Sequence, residues 1–237
     1  MKKRRLINTK RLMIFIFFTF MVSIAYVSVR IATAPTVAPS AEGIVRVKSD
    51  YVLMLVQCIL GAVAMTIPGF LWRTFRLSIP GVMMAMYAGF LYCAIYLGEV
   101  RNFYYKIPHW DTILHTFSGA ALGALGFSLV SLLNKSETVP VSLSPIFVAL
   151  FAFCFAASLG VLWEIYEFSV DYFLHTNMQK YALETGEKLS GQMAIIDTMK
   201  DLIVDAIGAA AVSIAGYISM KDKKGWLERF QLRTSSR

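Results

Sequence analysis

The chain has 237 residues, 57% of them hydrophobic and only 16% charged, with a mean hydropathy of +0.59. Soluble domains average about 25% charged residues, so this composition excludes a soluble domain and reads as a polytopic membrane protein. The net charge of +8 does not signal nucleic acid, because Lys and Arg gather at chain ends and in short loops between apolar runs, the pattern of positive-inside topology.

A bilayer core calls for about 20 apolar residues per helix. Six stretches qualify, at 12–33, 51–72, 79–98, 111–133, 145–172 and 198–220. The predicted fold is all-α: one transmembrane domain over 1–237, with a basic cytoplasmic N-terminus at 1–11, a six-helix bundle at 12–220 and a basic cytoplasmic tail at 221–237. The first span follows Lys2, Lys3, Arg4, Arg5, Lys10 and Arg11 and precedes Ala32-Thr33-Ala34, which looks like a signal-peptidase motif. Its apolar run exceeds the usual signal-peptide core of about 7–15 residues, and Pro35 follows the motif directly, so an uncleaved anchor is expected. Residues Ala32 to Ser40 are small and Pro-rich and read as an extended outer linker.

Placing both termini in the cytoplasm puts the N-terminal basic group, Arg73, Arg76, Lys135 and the basic residues from Lys221 onward on the inner side, 15 of the 23 Lys and Arg. This asymmetry sets the predicted orientation in a bacterial cytoplasmic membrane. The tail carrying Trp226, Leu227 and Phe230 is expected on the anionic inner surface. Cys58, Cys93 and Cys154 each lie within an apolar run, without metal-cluster spacing, and read as packing residues.

Spans four, five and six carry acid stripes. Asp111-x-x-x-His115 opens the fourth. Glu164-x-x-Glu167-x-x-x-Asp171-x-x-x-His175 closes the fifth. Asp197-x-x-x-Asp201-x-x-x-Asp205 opens the sixth. In the predicted topology all three lie on the outer side, joined by Glu99 at the end of the third span. At about 100° per residue, each set shares one helical face and can aim at a common point. Ionisable groups at membrane depth cost several kcal/mol unless paired, metal-bound or facing a cavity.

Carboxylates and imidazole on facing helices form a ligand set for a divalent metal. The expected ligands are His115, Glu164, Glu167 and Asp205, with Asp201 as general base; Glu99, Asp111, Asp171, His175 and Asp197 form a supporting polar cluster. Asp111 and Asp197 are equally explained as first-turn carboxylates at the positive helix end. Pairing with Arg101, Lys106 and Lys200 in a structural network is the alternative for the whole set. Glu184 and Glu187 read as solvated loop residues, and His109 as a boundary residue. Tyr104, Tyr105, Trp110, Trp163 and Tyr172 read as an interfacial aromatic belt. Gly119-x-x-x-Gly123, Gly160 and Gly208 stand among small residues that let helices approach closely.

Several of these motifs carry a family likeness. Gly98-Glu99-Val100-Arg101-Asn102-Phe103-Tyr104, Trp110-Asp111-x-x-Leu114-His115-x-x-Ser118-Gly119, Trp163-Glu164-x-x-Glu167 and Asp197-x-x-x-Asp201-x-x-x-Asp205-x-x-Gly208 together resemble the YjdF-like bacterial inner-membrane proteins, over residues 80–217. More distantly, the motif order resembles the VanZ-like proteins associated with glycopeptide-antibiotic tolerance. Those usually show Gln and Asn where Glu167 and Asp205 stand. The resemblance implies a helical inner-membrane fold and assigns no catalytic residue. The leading expectation is a metal-dependent membrane enzyme or binding protein, with one divalent ion, acting on a lipid or cell-envelope head group. A proton- or cation-coupled transporter and a structural or partner-binding protein are the alternatives; the expected partner is the lipid bilayer, with no nucleic acid.

Overall fold

The computed structural model describes residues 8–36, 46–134, 143–183, 185–222 and 232–234. The basic residues from Lys2 to Arg5, residues 37–40 of the Pro-rich linker, Lys135, Glu184 and the Trp226–Phe230 stretch of the tail lie outside the described residues. Helix α1 is Thr9–Thr33, α2 Lys48–Ala64, α3 Ile67–Phe75 and α4 Gly81–Leu91, which continues as a π-helix through Tyr92–Val100. A short α5, Phe103–Lys106, precedes α6, Trp110–Asn134, α7, Pro145–Leu174, and α8, Ile196–Lys221. Among the described residues, six helical spans are long and apolar enough to cross a membrane, Thr9–Thr33, Lys48–Phe75, Gly81–Val100, Trp110–Leu133, Pro145–Leu174 and Gly191–Lys221. The protein is an all-α multi-pass membrane protein.

Local chemistry sets several boundaries. Asn8 caps α1 by accepting from the Arg11 N–H, and Ser144 caps α7 by accepting from the Phe147 N–H, ahead of Pro145. Side-chain oxygens there satisfy amide groups that the helix itself leaves unpaired. The second span breaks at Met65–Thr66 and resumes with Pro68 in its first turn, where its missing N–H costs nothing. Phe15, Phe18, Leu162, Phe168, Phe173 and Ile207 project from the surface. Such apolar faces are stable in hydrocarbon, which explains why so little of each span is buried within the protein.

Two groups of helices make up the bundle. In the first, α1 packs on α2 and α4, with a core of Ile16, Phe20, Cys58, Met65, Ala88 and Ile95. In the second, α6, α7 and α8 pack on one another around Phe127, Val130, Val148, Ala149 and Ala152. The α6–α8 crossing is tight enough to exclude side chains. A Cβ on Gly119 would strike the Asp205 carbonyl, and one on Gly208 the Thr116 carbonyl. Small residues thus bring the two backbones together and set Asp205 beside His115 and Ser118. At the opposite end of the bundle, β2, Arg233–Thr234, pairs antiparallel with β1, Leu77–Ser78. The Leu232 N–H donates to Ser128 Oγ at 2.7 Å.

Candidate functional site

The start of α6, the end of α7 and the start of α8 meet at one end of the bundle, as their acid stripes predict. His115 stands at the centre, buried. Its Nδ1 lies 3.2 Å from Asp205 Oδ2, and Ser118 Oγ donates to Asp205 Oδ1 at 2.7 Å. Its Nε2 lies 3.7 Å from Asp111 Oδ1 and 3.8 Å from Asp201 Oδ2, beyond direct hydrogen bonding. Gly160, one turn before Glu164, leaves the space that Asp205 fills: a Cβ there would lie 3.0 Å from Asp205 Oδ2.

Two carboxylates in this cluster are under-satisfied. Glu164 is 5% exposed, and neither of its oxygens meets hydrogen-bond geometry with a described residue, although Thr198 stands beside it. Asp201 is 1% exposed, and its Oδ1 is likewise unpartnered. Buried acceptors are ordinarily paired, so these oxygens mark a place for a further donor or cation. Glu167, also buried, accepts from Trp163 Nε1 at 2.7 Å through one oxygen. Ligand atoms of His115, Glu164 and Glu167 lie within 4.8 Å of one another, and so do those of Asp111, His115 and Asp201. Both sets include His115.

Lys180 is the cation that the sequence reading missed. It sits at φ 51° in the loop after α7. Its Nζ donates to Asp111 Oδ2 and to Asp197 at 3.0 and 3.2 Å, and lies 5.5 Å from the Tyr104 ring centroid. Burial pulls its pKa down, but the charges of Asp111 and Asp197 outweigh that, and the net shift is upward. Lys180 is therefore a fixed positive charge. Burial, with Asp111 and Glu99 nearby, holds the Tyr104 phenol well above its ordinary range, so that side chain stays neutral. The ring fits against the chain because Gly98 has no Cβ, which would collide with it. Arg101, Lys106 and Lys200, the expected partners, are exposed. No periodicity marks a loop lysine, so the sequence held no signal for Lys180.

Two members of the expected cluster serve elsewhere. Asp171 accepts from Thr176 Oγ1 at 2.6 Å and from the N–H groups of Met178 and Gln179 at 2.7 and 2.9 Å. It therefore shapes the loop that delivers Lys180, and its oxygens do not reach the His115 group. His175 is exposed and ends α7 in the left-handed conformation, φ 55°. A regular helix through His175 would set it on the Glu164 face, but α7 stops at Leu174. Glu99 approaches from the first helix group on the π-helix, whose last carbonyls, Glu99 and Val100, accept from Arg46 at 3.0 and 3.2 Å.

An open cleft of about 730 Å³ runs from this site between the two helix groups. Its polar lining includes Glu99, Asp111, His115, Glu167, Lys180 and Asp205; Glu164 and Asp201 are not part of the lining.

Residues 31–222 match the family described as "Predicted membrane protein (DUF2238)". The chain belongs to this family. The matched stretch contains every residue of the cluster. An uncharacterized protein of Thermotoga maritima is 28% identical over 134 residues, covering 56% of this chain and 60% of that protein. The alignment thus spans less than two thirds of that relative's length. No solved structure matches the chain.

Proposed function

We propose that the cluster binds one divalent metal ion, and that this member of the DUF2238 family is a membrane enzyme or binding protein acting on a lipid or cell-envelope head group. The observation that carries this reading is the pairing of a tethered imidazole with an unsatisfied carboxylate. His115 Nδ1 is engaged by Asp205, which leaves Nε2 for a metal, and the bare oxygens of buried Glu164 stand within the same ligand set as Glu167. A carboxylate on the far nitrogen of a metal-binding histidine fixes its tautomer and raises its basicity. In this arrangement His115, Glu164 and Glu167 hold the ion, and Asp205 orients His115 rather than binding directly. Asp201, beside His115 with one free oxygen, is the general base. A bound ion would polarise a head-group oxygen or acidify a water.

Charge balance supports the same reading. Glu99, Asp111, Glu164, Glu167, Asp197, Asp201 and Asp205 gather around Lys180 and His115, with Arg46 acting on Glu99 and Lys200 on Asp197 from the edge, so among the described residues the acids outnumber the cations. A divalent cation relieves their repulsion. The lining away from this end carries no charged side chain, and its Tyr87 hydroxyl is engaged by the Ala64 carbonyl, which favours an enzyme or binding protein over a transporter, because a transporter needs a polar path onward. The motif likeness to YjdF-like proteins and the basic-residue asymmetry support a bacterial cytoplasmic membrane, both termini inside, with the site facing out. Elemental analysis of purified protein tests the proposal. Wild type is expected to carry close to one equivalent of one divalent metal, and a Glu164→Gln/Asp205→Asn double variant that retains its helical spectrum to carry little. Metal-free wild type, purified without chelator and still empty after incubation with Zn, Mn, Mg or Ca, would overturn it.

A further inference from the structure

The cleft differs in character along its length. Carboxylates, imidazole and ammonium line one end; along the rest, Tyr87 turns its hydroxyl to the Ala64 carbonyl at 2.8 Å and the remaining wall is mostly apolar. From there it follows one face of α6, past Ser118, Ala121 and Leu125 to Leu129. From Asp111 to Leu129 that path is about 27 Å at 1.5 Å per residue, close to the roughly 30 Å thickness of the hydrocarbon core. The facing wall comes from the first helix group, with Met83 and Phe90 of α4, and Leu232 lines the far end, where the returning chain is pinned to Ser128. A volume of about 730 Å³ falls within the range that encloses a small ligand. A compact polar ligand would leave nearly all of this apolar wall uncovered. An amphiphile matches both halves: a chain along α6, and a head beside His115 and Glu167.

We propose that the cleft receives the hydrocarbon chain of a single-chain amphiphile whose phosphate head sits at the carboxylate and histidine end. The phosphate rests on the metal reading, because these carboxylates repel an anion unless a cation lies between them. Each methylene moved out of water favours binding, but that gain is common to the cleft and to the surrounding bilayer. The cleft therefore selects its ligand by placing the head within reach of the ion.

The test uses the full chain in detergent and hexadecyl phosphate carrying a diazirine at the chain terminus. After irradiation and peptide mapping, labels should concentrate on cleft residues such as Met83, Leu125 and Leu129. Unlabelled hexadecyl phosphate should compete, and butyl phosphate should not. Ala121→Phe, which fills the cleft, should cut labelling about tenfold, equivalent to about 1.4 kcal/mol, with metal content unchanged. If Ala121→Phe fails to fold, Leu129→Trp serves in its place. Labels spread over the outward-facing Phe168, Phe173 and Ile207 without saturation would mean surface partition and overturn the proposal. The failures of the two readings are distinguishable. Metal retained with surface labelling only removes the cleft proposal. Saturable cleft labelling in protein that never holds metal removes the metal reading and, with it, the phosphate head at the carboxylates, leaving only an apolar-chain site.

Discussion

Lys180 Nζ donates to the carboxylate of Asp111, so a loop residue between α7 and α8 holds the first turn of α6. The same ammonium reaches Asp197 in the first turn of α8. One cation thereby ties together the ends of two helices whose carboxylates would otherwise repel. Asp171 makes this possible by fixing the loop backbone at Met178 and Gln179. The sequence link is a single lysine; the structural consequence is that charge pairing joins the starts of α6 and α8 at this end of the cleft.

Lys180→Met should destabilise the protein by about 2–3 kcal/mol. Removing one partner of a buried pair costs about 3–5 kcal/mol, and the 24% exposure of the Lys180 side chain reduces that. The pH dependence has a definite sign. Because the folded pKa is raised, the contribution of Lys180 is fully present below its unfolded value of about 10.4 and is lost as pH rises through the folded value. The melting-temperature gap between wild type and Lys180→Met should be constant from about pH 7 to 9.5 and narrow only at higher pH. A gap that closes near neutrality would show that Lys180 is not the ion-paired ammonium described above.

Metal affinity should fall in a graded order. Glu164→Gln and His115→Gln remove direct ligands and should abolish stoichiometric binding. Asp205→Asn removes the partner of His115 Nδ1 and should weaken affinity by about 10–100-fold, the usual effect of losing such an outer partner. Glu187→Gln, in the exposed loop, should leave it unchanged. Competition with a chelating dye measures the series. Equal losses from Asp205→Asn and Glu187→Gln would remove the orienting role of Asp205.

The close crossing of α6 and α8 makes a separate prediction. Gly208→Ala puts a methyl against the Thr116 carbonyl, which as backbone cannot step aside. The expected cost is about 1–3 kcal/mol, together with weakened metal binding as Asp205 shifts away from His115. Gly89→Ala faces open space and should stabilise by up to about 1 kcal/mol through the unfolded chain. Thermal unfolding in detergent distinguishes the two, and a stabilising Gly208→Ala would contradict the crossing.

Hydropathy located all six spans because a long apolar run at membrane depth has few alternatives. The i,i+4 spacing of Asp111 with His115, and of Asp201 with Asp205, carried the convergence of α6 and α8, since helices keep such residues on one face. Helical spacing does not extend to His175, where α7 ends, and although Asp171 shares the Glu164 stripe, loop amides capture its carboxylate. Hydropathy alone passes over the break at Met65–Thr66, although Pro68 signals it by having no N–H for the Ala64 carbonyl, which takes the Tyr87 hydroxyl instead; the π-helix at Tyr92–Val100 has no such marker. Lys180 and the cleft were invisible for a related reason: each arises from contacts between segments far apart in the chain.

Orientation can be checked without reference to the site. In a background where Cys58, Cys93 and Cys154 are replaced by Ala, Ser190→Cys should react with a membrane-impermeant thiol reagent applied to intact cells. Ser235→Cys should react only after the membrane is opened. The expectation follows from the 15 of 23 Lys and Arg that this orientation places inside. The opposite pattern would turn the carboxylate site toward the cytoplasm and end the proposal of a cell-envelope head group.

Chelation should lower the melting temperature of purified protein. A ligand that binds only the folded state stabilises it by about 2.7 kcal/mol when present at a hundred times its dissociation constant. Here removal also exposes Glu164, Glu167, Asp111 and Asp201 to one another in a poorly hydrated space, which adds repulsion to the loss. One metal should restore the original temperature, and the others should do so less well. Asp205→Asn should show a reduced response at limiting metal, because its weaker affinity lowers occupancy, and recover the full response at about a hundredfold higher metal concentration. Glu164→Gln should show none at either concentration. Wild-type melting that is indifferent to chelator and to added Zn, Mn, Mg or Ca, in protein shown to be metal-free, would leave the carboxylates to protons and Lys180 alone and turn the function toward the proton-linked or structural alternatives.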